Sequence, residues 1–200
     1  MNVSSFQRKL KEQTSEAHKK AEQHPLMQSF INGTYTKEHL LQFLINLYPI
    51  YSVIEQRLLK NKLEIIPELK RTELIEKDIN ILISEILDFK KANLLIPAVS
   101  VQAWVNNSQT KPVSLLKAEL YSRWLADFYG GRMMLKIIKP NNMYMSNDPM
   151  KVISSVREIL DEPNESKEVS EDDIIQEVLS FFDLHLEFFD SIYNGSTSTN

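Results

Sequence analysis

Two hundred residues, 42% of them apolar and few of them glycine or proline, suffice for one globular domain with a real core. A net charge of −4 without a basic patch gives nucleic acid no electrostatic footprint, and the absence of cysteine excludes disulfides, zinc–thiolate sites, iron–sulfur clusters and a cysteine nucleophile. The N-terminus MNVSSFQRKLKEQ lacks an apolar signal core and no apolar run approaches the ~20 residues of a membrane span, so a cytoplasmic protein without a membrane span is expected.

Helical periodicity dominates the chain. Ser4 or Ser5 caps a first helix that runs to about His24, where Pro25 ends it, and a short helix from Leu26 to Asn32 closes at Gly33. Thr36 caps a long helix from Lys37 to about Lys60, whose recurring face holds Leu40, Leu41, Leu44, Leu47, Tyr51, Ile54 and Leu58, and Pro49 inside it is expected to kink it. Pro67 opens one broken or two consecutive helices reaching Leu87, and Pro97 precedes a helix to about Val105. After the loop NNSQTK, Pro112 starts a long helix that ends before Pro140. A loop over 140–148 leads to a helix from about Pro149 to Leu160, then to the polar linker DEPNESKEV. Ser170 with Asp173 resembles a capping box for a last helix running to Asn194, with Gly195 as its stop. No alternating strand and no internal repeat occurs. The expected fold is all-α, one domain of about eight helices over residues 1–194, with a disordered tail over 195–200.

Two of the four glycines, Gly130 and Gly131, fall inside the long helix, where each costs about 1 kcal/mol relative to alanine. Backbone free of Cβ atoms lets a flat ligand, or equally a neighbouring helix, approach closely. The four histidines, His18, His24, His39 and His185, have Ser15, Ala21, Thr36 and Phe182 three residues earlier, so no Glu-x-x-His pair of a di-iron bundle exists. His18 has Glu22 one turn later, a carboxylate placed to take the Nδ1 proton and leave Nε2 for a metal. Asp127 stands one turn before the glycine pair, with Arg123 one turn earlier as its partner. On spacing alone, plain surface pairing is the better account of both.

Three segments in order, LKEQTSEAHKKAE (Leu10–Glu22), LYPIYSVIE (Leu47–Glu55) and YSRWLADFYGG (Tyr121–Gly131), together with SFFDLHLEFF near the C-terminus, resemble the haem oxygenase family across most of the chain. That resemblance implies an all-α fold with haem between a proximal and a distal helix. It places His18 as the iron ligand and Glu22 as its carboxylate partner, and it places Lys11, Thr14, Tyr121 and Arg157 on the haem propionates. Gly130 and Gly131 match the distal glycines on which haem lies. Asp127 matches the distal aspartate that organises water, supported by Tyr51 and Arg123, while Phe182 and His185 resemble pocket-lining positions. The implied activity is oxidative opening of haem, at once substrate and cofactor, to biliverdin, carbon monoxide and ferrous iron. Dioxygen and an electron donor such as a ferredoxin, flavodoxin or NADPH-dependent reductase are its implied partners.

The chain departs from the family's pattern at Ala126, which replaces a glycine beside the aspartate, at Phe128 and Tyr129, which replace smaller residues, and at Arg132, where glutamine is frequent. Ile153 replaces a family lysine, for which Lys151 is the nearest substitute. Ala126 keeps open a second class of function, a protein of the same fold that stores, transfers or senses haem without degrading it.

Overall fold

Helix starts in this chain fall where a side chain can take the first free amides. Ser4 Oγ accepts from Gln7 N at 3.2 Å, Thr36 Oγ1 from His39 N at 3.1 Å, and Ser170 Oγ from Asp173 N at 3.1 Å. Asp173 completes the last of these as a capping box, accepting from Ser170 N at 2.8 Å. The computed structural model describes residues 4–62, 66–86, 95–134, 136–144, 149–161 and 169–197, with side chains for all of these except 125–133, 149, 161, 196 and 197.

The described residues form nine α-helices and no strand: α1 (Ser5–Gln13), α2 (Ser15–Gln23), α3 (Pro25–Asn32), α4 (Lys37–Lys60), α5 (Thr72–Glu85), α6 (Val99–Ser108), α7 (Val113–Met134), α8 (Pro149–Asp161) and α9 (Glu171–Thr197). Short 3-10 turns stand at Pro67–Leu69 and Asn142–Tyr144. No described helix is long and apolar enough to cross a membrane.

Several boundaries differ from the sequence expectation. The first helix is divided at Thr14, whose backbone sits at φ −96°, ψ 0°. Its hydroxyl donates to the Leu10 carbonyl at 2.8 Å, a side-chain bond that competes with the regular ladder. Helix α4 runs on through Pro49 as one 24-residue element. Helix α6 continues to Ser108, three residues beyond the expected Val105, and α7 stops at Met134. Gly33 is the left-handed cap expected of it, at φ +69°, but Gly195 is not a stop. Helix α9 passes through it to Thr197, so the tail expected from 195 is helical over 195–197. Nothing lies within 4 Å of a Cβ built on Gly195, so no opposing element turns the chain there. Leu87, residues 145–148 of the expected loop and residues 162–168 of the expected linker lie outside the described residues.

Helix α9 organises the molecule by packing on α1, α2, α3, α4, α6 and α7, while α4 lies against α5, α6 and α7. Its inward face of Phe181, Leu184, Phe188, Phe189 and Ile192 enters a large core shared with α3, α4, α5, α7 and α8. A smaller core at the other end of α9 joins Leu10 of α1, Ala118 of α7, Leu160 of α8 and Ile174, Ile175 and Val178 of α9. Burying side chains of this size stabilises by about 1.5–3 kcal/mol each. The exposed Lys9 adds a tie from α1 to Asp172 at 2.9 Å and Glu171 at 3.5 Å at the start of α9. These two cores hold α2 and α7 against the same helix.

Candidate functional site

Helix α2 has no fully buried residue, so its charged and polar face is open, and His18 stands on it with 47% of its side chain exposed. Nδ1 of His18 faces Glu22 Oε2 at 3.6 Å, one helical turn away, and this leaves Nε2 without a claim on it from α2. The ring meets Phe182 of α9 edge-on, with centroids 5.9 Å apart. One turn before His18, Thr14 is buried with its hydroxyl proton committed to Leu10, and Lys11 on α1 is exposed.

His24 is engaged differently. Its Nδ1 accepts the Leu26 amide at 3.1 Å, capping α3, and its Nε2 meets Asp190 Oδ1 at 3.2 Å. An Nδ1 that accepts an N–H has no proton, so Nε2 carries it and donates to the carboxylate. Neither nitrogen remains for a metal. His185 is buried on α9 and donates Nδ1–H to the Phe181 carbonyl at 2.7 Å. Its Nε2 is a buried acceptor with no donor among the described residues. Burial, reinforced by the Arg123 guanidinium and opposed by the Phe181 carbonyl, lowers its pKa to about 3. Among the described side chains no group of three or more His, Asp or Glu converges as a metal cluster.

The other side of the site rises on α7. Tyr121 is half-buried and packs against both cores. Arg123 is buried, with its guanidinium over the Phe43 ring at 5.9 Å. Trp124 is buried against Tyr51 of α4, ring centroids 6.1 Å apart. Asp127, Gly130 and Gly131 follow on the helical backbone of α7, and the side chains from 125 to 133 lie outside the described ones. The structure therefore brings Tyr51, Tyr121 and Arg123 to the α4–α7–α9 interface and leaves the surroundings of Asp127 undescribed.

Two consecutive turns of α9 join the two sides: Phe182 touches His18 of α2, and His185 lies in the field of Arg123 of α7. Arg157 on α8 is half-buried, with a buried Nε that has no acceptor among the described residues. Lys151 is drawn away, bonding Glu68 Oε1 at 2.8 Å, while Ile153 is core. What the sequence did not reveal is a group of Lys111, the buried Glu119 and Glu177 around α7, since Glu177 comes from a distant stretch of chain on α9.

The heme oxygenase family model matches residues 4–189. A curated relative, the heme oxygenase of Porphyra purpurea, is 33% identical over 146 residues, which cover 68% of this chain and 60% of that one. The chain thus spans about three fifths of the length of the curated relatives it first matches. The structure of heme oxygenase-1 from Synechocystis sp. PCC6803, in complex with heme, superposes with a TM-score of 0.78 at 22% identity, over 96% of this chain and 94% of that one. Heme oxygenase from Leptospira interrogans superposes with a TM-score of 0.77 at 26% identity, over 94% and 100%. With a family model covering nearly its whole length, an all-helical fold shared with these structures and a half-exposed histidine on α2, the chain belongs to the heme oxygenase family.

Proposed function

We propose that this protein is a haem oxygenase that opens haem to biliverdin, carbon monoxide and ferrous iron, using dioxygen and electrons from a ferredoxin, a flavodoxin or an NADPH-dependent reductase in the cytoplasm. The observation that supports it most directly is His18, half-exposed on α2, with Glu22 on Nδ1 and nothing from α2 on Nε2. The residues present fit the group: an imidazole with one nitrogen to spare, aromatic Phe182 beside it, and an Arg157 guanidinium whose Nε lacks an acceptor among the described residues. Haem, once bound, supplies both the redox-active iron and the ring carbon that is oxidised.

His18 would hold the iron through Nε2, with Glu22 fixing the tautomer through Nδ1. A neutral histidine, unlike a thiolate, gives little electronic push toward O–O cleavage, which suits attack on the ring itself. Lys11, Tyr121 and Arg157 would take the propionates through cationic or hydroxyl groups at accessible or half-buried positions, whereas Thr14, buried with its proton on the Leu10 carbonyl, has none to give. Gly130 and Gly131, having no Cβ, would let the ring lie against the α7 backbone. Asp127 would hold a water that delivers protons, with Arg123 and Tyr51 fixing its surroundings.

Haemin mixed with the purified protein and ascorbate, followed by visible spectroscopy and carbon monoxide release, tests this. The expected outcome is stoichiometric binding followed by biliverdin. Asp127→Ala should keep haemin affinity within severalfold and lose biliverdin, while Gly131→Leu should weaken haemin binding far more than it lowers apoprotein stability. Binding without biliverdin, with turnover appearing only in Ala126→Gly, would favour a haem carrier instead.

A further inference from the structure

Glu119 is wholly buried on α7, one turn before Arg123. Its Oε1 accepts two hydrogen bonds, from Lys111 Nζ at 2.7 Å and from Trp104 Nε1 of α6 at 3.0 Å. The same Lys111 ammonium donates to Glu177 Oε1 of α9 at 2.5 Å and lies 5.5 Å from the Trp104 ring centroid. Glu119 Oε2 meets no donor among the described residues, and the two carboxyls share the one Lys111 ammonium through their Oε1 atoms. Arg57 of α4 also faces Glu119, but its guanidinium is committed to the Ser108 carbonyl. Two carboxylates in contact inside a protein cannot both ionise cheaply, and one ammonium between them balances only one negative charge.

We propose that Glu119 is a neutral carboxylic acid that shares its proton with the Glu177 carboxylate, so that Lys111, Glu119 and Glu177 form a proton-closed clamp fixing the first half of α7 to α9. Glu119 Oε1 serves Lys111 and Trp104, one proton serves the two carboxyls, and the trio carries no net charge. Burial, with Glu177 beside it, pushes the Glu119 carboxyl well above the usual carboxylate range, against the pull of Lys111. Burial also raises Glu177, but hydrogen bonds from Glu119 and Lys111 outweigh it and hold its carboxyl below that range. Burial alone would lower Lys111, and the two glutamates more than reverse this.

Such a clamp loosens as pH rises above the ordinary carboxylate range. A carboxyl raised in the folded state contributes stability that is complete below its unfolded pKa and is lost as pH rises through the folded value. Ionised Glu119 would bring a second negative charge to a fully buried position, on the helix that continues into Arg123 and the glycine pair.

Glutamine separates the alternatives, because its amide mimics the neutral acid: C=O for Lys111 and Trp104, NH2 for Glu177. In the full-length apoprotein at neutral pH, difference infrared spectroscopy should show a protonated-carboxyl stretch that Glu119→Gln removes. Glu119→Gln should melt within about 3 °C of the parent and lose less stability than the parent toward alkaline pH, while Glu119→Ala should fall several times further. Absence of the band, its survival in Glu119→Gln, or a Glu119→Gln variant that is as unstable as Glu119→Ala or does not fold would overturn the proposal.

Discussion

His185 of α9 lies in the field of Arg123 of α7: burial first, and that guanidinium second, keep the imidazole neutral down to a pKa of about 3. A histidine lowered in the folded state binds fewer protons there than in the unfolded chain. Its stability contribution is therefore complete above the unfolded value near 6.5 and is lost as pH falls toward about 3. The difference corresponds to an upper bound on the order of 5 kcal/mol. His185→Gln should narrow the gap in urea-unfolding stability between pH 7 and pH 4. An unchanged gap would mean that the imidazole is not the proton acceptor.

Replacing His18 should separate holding the iron from burying the ring. His18→Ala is expected to bind haemin through apolar contacts, to lose the histidine-ligated visible spectrum, and to regain it with added imidazole. Glu22→Gln should weaken haemin by about tenfold or less than a hundredfold, the usual effect of losing a partner behind a metal ligand. A parental spectrum in His18→Ala would remove His18 from the iron.

His24 should behave in the opposite way. Its ring caps α3 and lies against Phe189 at 5.4 Å between centroids. His24→Ala loses a cap and an aromatic contact, together roughly 2 kcal/mol, and should melt about 4–8 °C lower. Its haemin spectrum should match the parent's.

Asp78 should be the most sensitive carboxylate for folding. It is fully buried on α5 and accepts from Asn142 N at 3.1 Å, Asn142 Nδ2 at 2.6 Å and Met143 N at 2.9 Å. Asp78→Ala strands three buried donors and should cost about 3 kcal/mol or more in denaturant unfolding. A loss below about 1 kcal/mol would show that water replaces the carboxylate there.

The features legible in the sequence are those that depend on neighbours along the chain. The Ser170–Asp173 box, the Thr36 cap and Gly33 are local devices, and each stands where it was read. Thr14 and Gly195 show where local reading stops. The first divides a helix through a hydroxyl that also had the choice of pointing outward, and the second ends nothing because no neighbouring element demands a turn. In the site, His18 and Glu22 share one face of one helix and so could be paired from spacing. Phe182 against His18, Arg123 beside His185 and the Lys111–Glu119–Glu177 clamp join residues far apart in sequence, and only the packing of α9 brings them together.

The dependence of six earlier helices on α9 also orders events during synthesis. Helices α1 to α7 leave the ribosome before the surface that α9 provides exists. A nascent chain halted before Glu171 displays Phe43 and Trp104 without the α9 rings of Phe181, Phe188 and Phe189 that pack on them. Long-range closure of this kind comes late and leaves intermediates prone to association. The cell's need to shield such a chain ends only when its last long helix has been made.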